Sequence, residues 1–354
     1  MSRSDFFLGI DLGSSSVKTC IYDIGSGKSI DSFTYPDSEM EIISEQDGWA
    51  EQDPNYWWEC ISHTFDHLRE KNDFQSIRAI GISYQMHGLV VVDKKYNPLH
   101  NAIIWCDSRA VETGQKAEIE IDNDIFKMKT LNTPGNFTAS KLKWLQDNKE
   151  DIYDKIHKIM LPGDFIVHKL TNKLTTTPMG LSEGIMWDFQ SQAVSEDILD
   201  YYNIKNTLIP HVVDSIGDQG TVSDDMVERF GFGKDIKVSY RAGDQPNNAF
   251  SLNVLEPGEI AATAGTSAVI YSVTDKNITD LNNRINTFLH CLNSNTSKRN
   301  GLLLCINGSG IAYSWIKSLL KEKSYKEMDI KSEKINSPEG IKFYPFGNGS
   351  ERLL

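Results

Sequence analysis

The chain has 354 residues, 39% apolar and 24% charged, with a formal net charge of -13 at pH 7. Acidic residues outnumber Lys plus Arg by 49 to 36, which argues against nucleic acid as a partner because a phosphate backbone is normally met by a basic face. No uncharged apolar run approaches the roughly 20 residues of a membrane helix, the acidic balance favours small molecules as partners, and the length predicts about two domains.

Residues 6–23 read as strand, polar turn, strand. Two β-prone apolar runs flank Gly13, Ser14, Ser15 and Ser16, and Val17, Thr19 and Ile21 alternate with Lys18, Cys20 and Tyr22 at the two-residue period of a strand. A Walker loop or a dinucleotide fingerprint would need a helix after its glycines, so neither fits. A hairpin tip of this composition offers backbone N–H groups and hydroxyls to an anion, and Asp11 ends the first strand facing the same spot. Phosphate with Mg2+ suits that arrangement; an ordinary hairpin with a serine-rich turn is the alternative.

A third β-prone run over 29–35 completes a meander, and an acidic stretch over 37–53 follows. Asp53 can cap a helix with Pro54 at its first position, after which Trp57, Cys60, Ile61, Thr64, Phe65 and Leu68 recur at helical spacing. His63 and His67 on that helix have metal spacing but no third ligand nearby, so they read as a solvated face. Strands are expected over 77–83 and 89–92, separated by Tyr84-Gln85-Met86-His87-Gly88, and a buried strand over 102–105 leads into Cys106-Asp107-Ser108-Arg109. The loop 84–88 and the segment 105–109 gather an amide, an imidazole, a carboxylate, a guanidinium and an indole, a mixture suited to recognising the hydroxyls of a polyol. Equally, His87 can be a satisfied loop histidine and Asp107 with Arg109 a local salt bridge.

Residues 138–148 carry Leu142 and Leu145 on one face and predict an amphipathic surface helix. Residues 161–165 form a turn into a helix, and 181–189 a strand and turn. Past the glycine turns at 217–220 and 231–233, a strand-like run ends at Gly243, and Asp244 opens a helical segment with Gln245, Asn247 and Asn248. A carboxylate there can be a helix cap or a general base, since strand ends open on the ligand cleft in α/β folds. The five cysteines, Cys20, Cys60, Cys106, Cys291 and Cys305, show no CxxC pairing and are expected to be buried free thiols of a reducing compartment. Residues 6–10 are too short for a signal-peptide core, so no targeting segment is expected.

Residues 260–271 repeat the opening layout, apolar strand, Gly265-Thr266-Ser267, apolar strand. Two halves that each present a phosphate hairpin to a shared cleft form the plan of the actin-like ATPase, or ribonuclease H-like, fold, which the chain resembles.

In their order and spacing, residues 11–18, Gln85-Met86-His87-Gly88, residues 105–109, Lys141-Leu142-Lys143-Trp144-Leu145, Gly243-Asp244-Gln245 and Ala264-Gly265-Thr266-Ser267 resemble the FGGY carbohydrate kinases from end to end. The Gln-Met-His-Gly loop points to the xylulokinase branch. The resemblance implies an α/β chain of two domains around a cleft, 1–243 and 244–354, that uses ATP and Mg2+ to phosphorylate a ketopentose, D-xylulose first among the candidates. It implies Asp244 as the base for the sugar hydroxyl, Met86, His87 and Gln245 around the sugar, and Asp11 holding Mg2+ through water. Gly13, Ser14, Ser15, Lys18, Gly265, Thr266 and Ser267 would surround the triphosphate. A homodimer is compatible with it; no membrane or nucleic acid is implied. L-xylulose, ribulose or glycerol are alternative acceptors, and an actin-like nucleotide-switched binding protein is the alternative without kinase chemistry. Two departures stand out. Gln245-Pro246-Asn247 puts a longer side chain where xylulokinases usually show Asn or a small residue. No Gly-Gly adenine segment follows residue 352, so the second domain is expected to be incomplete.

Overall fold

The computed structural model describes residues 5–121, 123–265, 268–294, 296–306 and 308–343. Strands β1 (Phe6–Leu12), β2 (Val17–Asp23) and β3 (Lys28–Tyr35) form the expected antiparallel meander. Alternation does what its period dictates, because Leu8, Ile10 and Leu12 on β1 and Val17, Thr19 and Ile21 on β2 are buried on the core face. Helix α1 (Pro54–Arg69) begins where Asp53 accepts from the Asn55 N–H and Pro54 takes the first turn. It lays Trp57, Cys60, Ile61, Phe65 and Leu68 on the sheet, and a Thr64–Thr19 hydroxyl contact of 2.6 Å ties it to β2. His63 and His67 are not simply solvated: they pack on the rings of Tyr35 and Phe33, with centroids 4.0 and 3.8 Å apart.

Strand β4 (Ile77–Tyr84) pairs parallel with β1, and β5 (Lys237–Gly243) pairs parallel with β4. The sheet order β5-β4-β1-β2-β3 is the ribonuclease H-like core of the actin-like ATPase fold. A second sheet, wholly antiparallel, contains β6 (Ile260–Ala264), β7 (Ala268–Thr274), β8 (Asn286–Leu289) and β9 (Asn300–Ile306) in the order β6-β7-β9-β8. Its inner residues Val269, Tyr271, Val273, Phe288 and Leu303 share one hydrophobic cluster with Met86, Leu142, Leu181 and Met186 of the segment between β4 and β5.

That intervening segment departs from its sequence reading at three places. Helix α2 (Thr138–Asn148) is not a surface helix, since Thr138, Ala139, Ser140, Lys141, Leu142 and Leu145 are all buried. The expected strand over 102–105 shrinks to Ala102–Ile103, and Trp105 turns out to 46% exposure. The run 181–189 is mostly not strand: α3 (Pro162–Thr171) is followed by α4 (Pro178–Glu183), and only Trp187–Asp188 is extended. The cause is at the start of α4, where the Thr177 hydroxyl accepts from Gly180 N at 3.1 Å and Pro178 sits at the first position. Strand β8 docks on this helix, with Leu289 N donating to the Ser182 hydroxyl at 3.1 Å. All five cysteines are free, but only Cys60 and Cys291 are buried: Cys20 and Cys305 are half-buried and Cys106 is exposed.

Candidate active site

Leu12 pairs with Tyr84, and Tyr84 with Gly243, so Gly13, Gln85 and Asp244 leave three neighbouring strands at one edge. Carboxyl ends of parallel strands are where α/β folds bind ligands. The first hairpin is tight, with Gly13 N donating to Ser16 O at 3.1 Å. Its tip carbonyls are already engaged: Ser15 O accepts from Met40 N at 2.7 Å and Ser14 O from Gln52 Nε2 at 2.7 Å. The hydroxyls and the N–H groups of Ser14, Ser15 and Ser16 are therefore the polar atoms that the tip has left to offer an anion. Gln52 Oε1 also accepts from Gln85 Nε2 at 3.0 Å, which links the tip to the loop that follows β4.

Asp11 and Lys18 face each other across the hairpin. The Asp11 side chain is open to solvent on one side yet crowded by protein on the others; that desolvation raises its pKa against the pull of the Ser83 hydroxyl and the Lys18 charge. Asp244 is the first residue of helix α5 (Asp244–Ser251). Its carboxyl is pushed up to about 6 by burial and then by the negative charge of Asp11, while bonds from Gln245 oppose the shift. Two carboxylates that repel across a shared space fit a divalent cation, and Mg2+ commonly takes one or two carboxylates and fills its remaining positions with water and phosphate oxygens. Asp11 would hold it, with Asp244 alongside.

Gln245 bonds the Asp244 carboxyl, Met86 packs on Gly243 directly before it, and His87 follows Met86 in the loop after β4. Met86 is 4% exposed and packs on Gly243, where a Cβ would collide with Met86 Cγ and stand 2.6 Å from Glu183 Oε2. His87 has a left-handed backbone, φ +60°, an uncommon state for a residue with a side chain that histidine tolerates better than most. Its Nδ1 lies 2.9 Å from Glu183 O and its ring meets Phe137 edge-on at 4.8 Å. Gly265 is exposed at the end of β6 in the second sheet; Thr266 and Ser267 lie outside the described residues.

Asp107 and Arg109 take the salt-bridge alternative. Arg109 bonds Asp107 and Glu51, each at 2.7 Å, and stacks 3.8 Å over Trp49, with the Asp107 and Arg109 side chains sealed from solvent. They hold the chain beside the site, while Trp105, Cys106 and Ser108 of that motif are open to solvent.

Two residues given no role by the sequence reading stand directly behind His87. Lys141 is fully buried, and its Nζ donates to His87 O and Ile104 O, each at 2.9 Å. Burial pulls its ammonium down to about 8, with Asp107 the main opposing charge. A lysine one turn before Leu145 on the apolar stripe of α2 was the available signal. Glu183 is 2% exposed and ends α4. Burial drives its carboxyl well above the usual range; the nearby Tyr84 hydroxyl and the His87 N–H oppose this, and the charges of Asp244 and Asp164 reinforce it. The misread strand hid it.

A family model described as the FGGY family of carbohydrate kinases, N-terminal domain, matches residues 6–251. A xylulose kinase of Staphylococcus xylosus is 27% identical over 347 residues, covering 96% of this chain and 70% of the relative. A glycerol kinase of Thermococcus onnurineus is 29% identical over 353 residues, covering 96% and 68%. The solved structure of a xyloylose kinase from Brucella ovis superposes with a TM-score of 0.82 at 24% identity, covering 89% of this chain and 64% of that one. The chain thus spans roughly two thirds of the length of the relatives it matches. It belongs to the FGGY family of carbohydrate kinases.

Proposed function

We propose that the protein transfers the γ-phosphoryl group of ATP to a ketopentose, with D-xylulose as substrate and D-xylulose 5-phosphate as product. The observation that carries this reading is Asp244, a carboxylate raised to about 6 at the mouth of the strand edge, which suits a general base near neutral pH. Asp244 accepts the proton of the attacking sugar hydroxyl, while Met86, His87 and Gln245 fix the sugar's hydroxyls and carbonyl. Gly13, Ser14, Ser15 and Lys18 hold the phosphates from one side and Gly265, Thr266 and Ser267 from the other. Mg2+, when bound near Asp11, neutralises phosphate charge. The protein contributes mainly position and electrostatic stabilisation, which is what in-line phosphoryl transfer demands of it. The sugar-holding domain spans 1–243 and the second phosphate hairpin belongs to 244–354; the setting is cytoplasmic, and the assembly is a monomer or homodimer.

Sugar-stimulated ADP release, compared across D-xylulose, L-xylulose, ribulose and glycerol, tests this. D-xylulose is expected to give the highest kcat/KM. The similarity to a glycerol kinase supports glycerol as the second reading, against which the Met86-His87 pair stands. ADP release that no sugar stimulates would leave a nucleotide-switched binding protein.

A further inference from the structure

His87 is gripped at three polar points by two buried residues from different helices. Lys141 on α2 takes its carbonyl at 2.9 Å. Glu183 on α4 takes its ring Nδ1 through a backbone oxygen at 2.9 Å and its N–H through the carboxyl group. The same ammonium binds Ile104 O at 2.9 Å, so the loop after β4 and the segment ahead of Trp105 are fastened to one point. Oε2 of Glu183 also borders Gly243, directly before Asp244.

A hydrophobic core gains nothing from this arrangement. A lysine sealed from solvent has only two carbonyls and no carboxylate within ion-pair distance among the described residues, and a sealed glutamate has no cationic partner there either. Asp107 and Glu183 attract the Lys141 ammonium only from beyond ion-pair distance; burying ionisable groups on such terms is destabilising, and apolar residues of similar volume would fill the same space without that cost. What the pair does supply is geometry. It holds His87 in a left-handed turn, a backbone state that persists only when its surroundings over-determine it.

We propose that Lys141 and Glu183 are positioning residues that fix the His87 turn and thereby set acceptor-sugar recognition, without touching the sugar themselves. The sugar part rests on the proposed function; the positioning part does not. The variants are Lys141→Met and Glu183→Met, each close to the native volume, with Glu183→Gln as the conservative control because its amide oxygen can still accept from the His87 N–H. In the full chain, both Met variants are expected to weaken D-xylulose binding by about tenfold or more in calorimetry, with ATP binding within about threefold. Glu183→Gln should stay near wild type. Adding Lys141→Met to His87→Ala should cause little further loss of sugar affinity, because the lysine acts through the histidine. Additive losses, or equal losses for sugar and nucleotide, overturn the proposal.

Hydrogen exchange reads the brace without any sugar. Amides of segment 84–89 should exchange at least tenfold faster in both Met variants than in wild type, while those of β1 and β2 hold. Unchanged exchange there overturns the positioning role even if ketose binding is confirmed. Faster exchange in a protein that binds no ketose would uphold the brace and reject the sugar assignment.

Discussion

Asp244 links one carboxyl to both rate and stability, and the two run in opposite directions with pH. In the folded protein it titrates near 6, against an ordinary 3.8. A general base must be ionised, so kcat/KM should fall about tenfold per pH unit below about pH 6 and level off above it. Stability behaves otherwise. A folded state that holds the proton more tightly than the unfolded chain is favoured in acid, so this contribution is complete below the unfolded value and is lost as pH rises through about 6. Asp244→Asn should therefore lower kcat by about two to four orders of magnitude with sugar affinity within several-fold, yet raise Tm at about pH 8 and change it little at about pH 4. Near-normal turnover, or a lower Tm at both pH values, would make Asp244 a helix cap. His87→Ala should weaken ketose binding far more than ATP binding, since buried hydroxyls left without partners are costly; calorimetry with each ligand separately decides it.

Where β5 gives way to α5, the decisive residue is Gly243. Its φ is -58°, open to any residue, so the demand for glycine is purely steric: a Cβ would strike Met86 and crowd Glu183. Gly243→Ala should push both away from Asp244 and lower kcat/KM about tenfold or more, at a stability cost of about 1–3 kcal/mol from overpacking. An alanine variant with normal kinetics would show that the strand end has slack. Much of this edge was legible in the sequence. The hairpin, α1 and the β5–α5 junction each carry a local signature, whether two-residue alternation, Asp-Pro capping or a glycine before a carboxylate. The brace behind it was not legible, for two physical reasons. Thr177-Pro178 begins a helix of only six residues, too short for a hydrophobic period to emerge, so the sequence reads as strand at Glu183. Helix α2 is buried on a face that includes a lysine, and a charged residue there reads as a solvent face until the two carbonyls that receive it are seen. Both depend on tertiary partners far away in the chain.

At the scale of the whole molecule, the two sheets differ in how well they are covered. The five-stranded sheet has α1 over β2 and β3, whereas the second sheet buries Val269, Tyr271 and Val273 inward and turns Ile260 and Ile270 outward at 63% and 42% exposure. Beyond it, α6 (Ser309–Leu319) exposes Trp315 at 55% and Leu319 at 62%, with Leu320 following at 57% and Phe343 near the Trp315 ring. Large exposed apolar groups favour association, and a second copy of the chain is the occupant most readily at hand. The net charge of -13 opposes this through repulsion, so association should strengthen with protein concentration and with sulfate, which promotes apolar burial and screens charge. Light scattering on the purified chain is expected to show a mass rising above 39.9 kDa with concentration. Leu319→Lys should return it toward 39.9 kDa without altering ketose binding, because that helix lies outside the strand edge that carries Asp11, His87 and Asp244. A mass that stays at 39.9 kDa at every concentration in sulfate would show that the exposed apolar groups are too dispersed to form an interface.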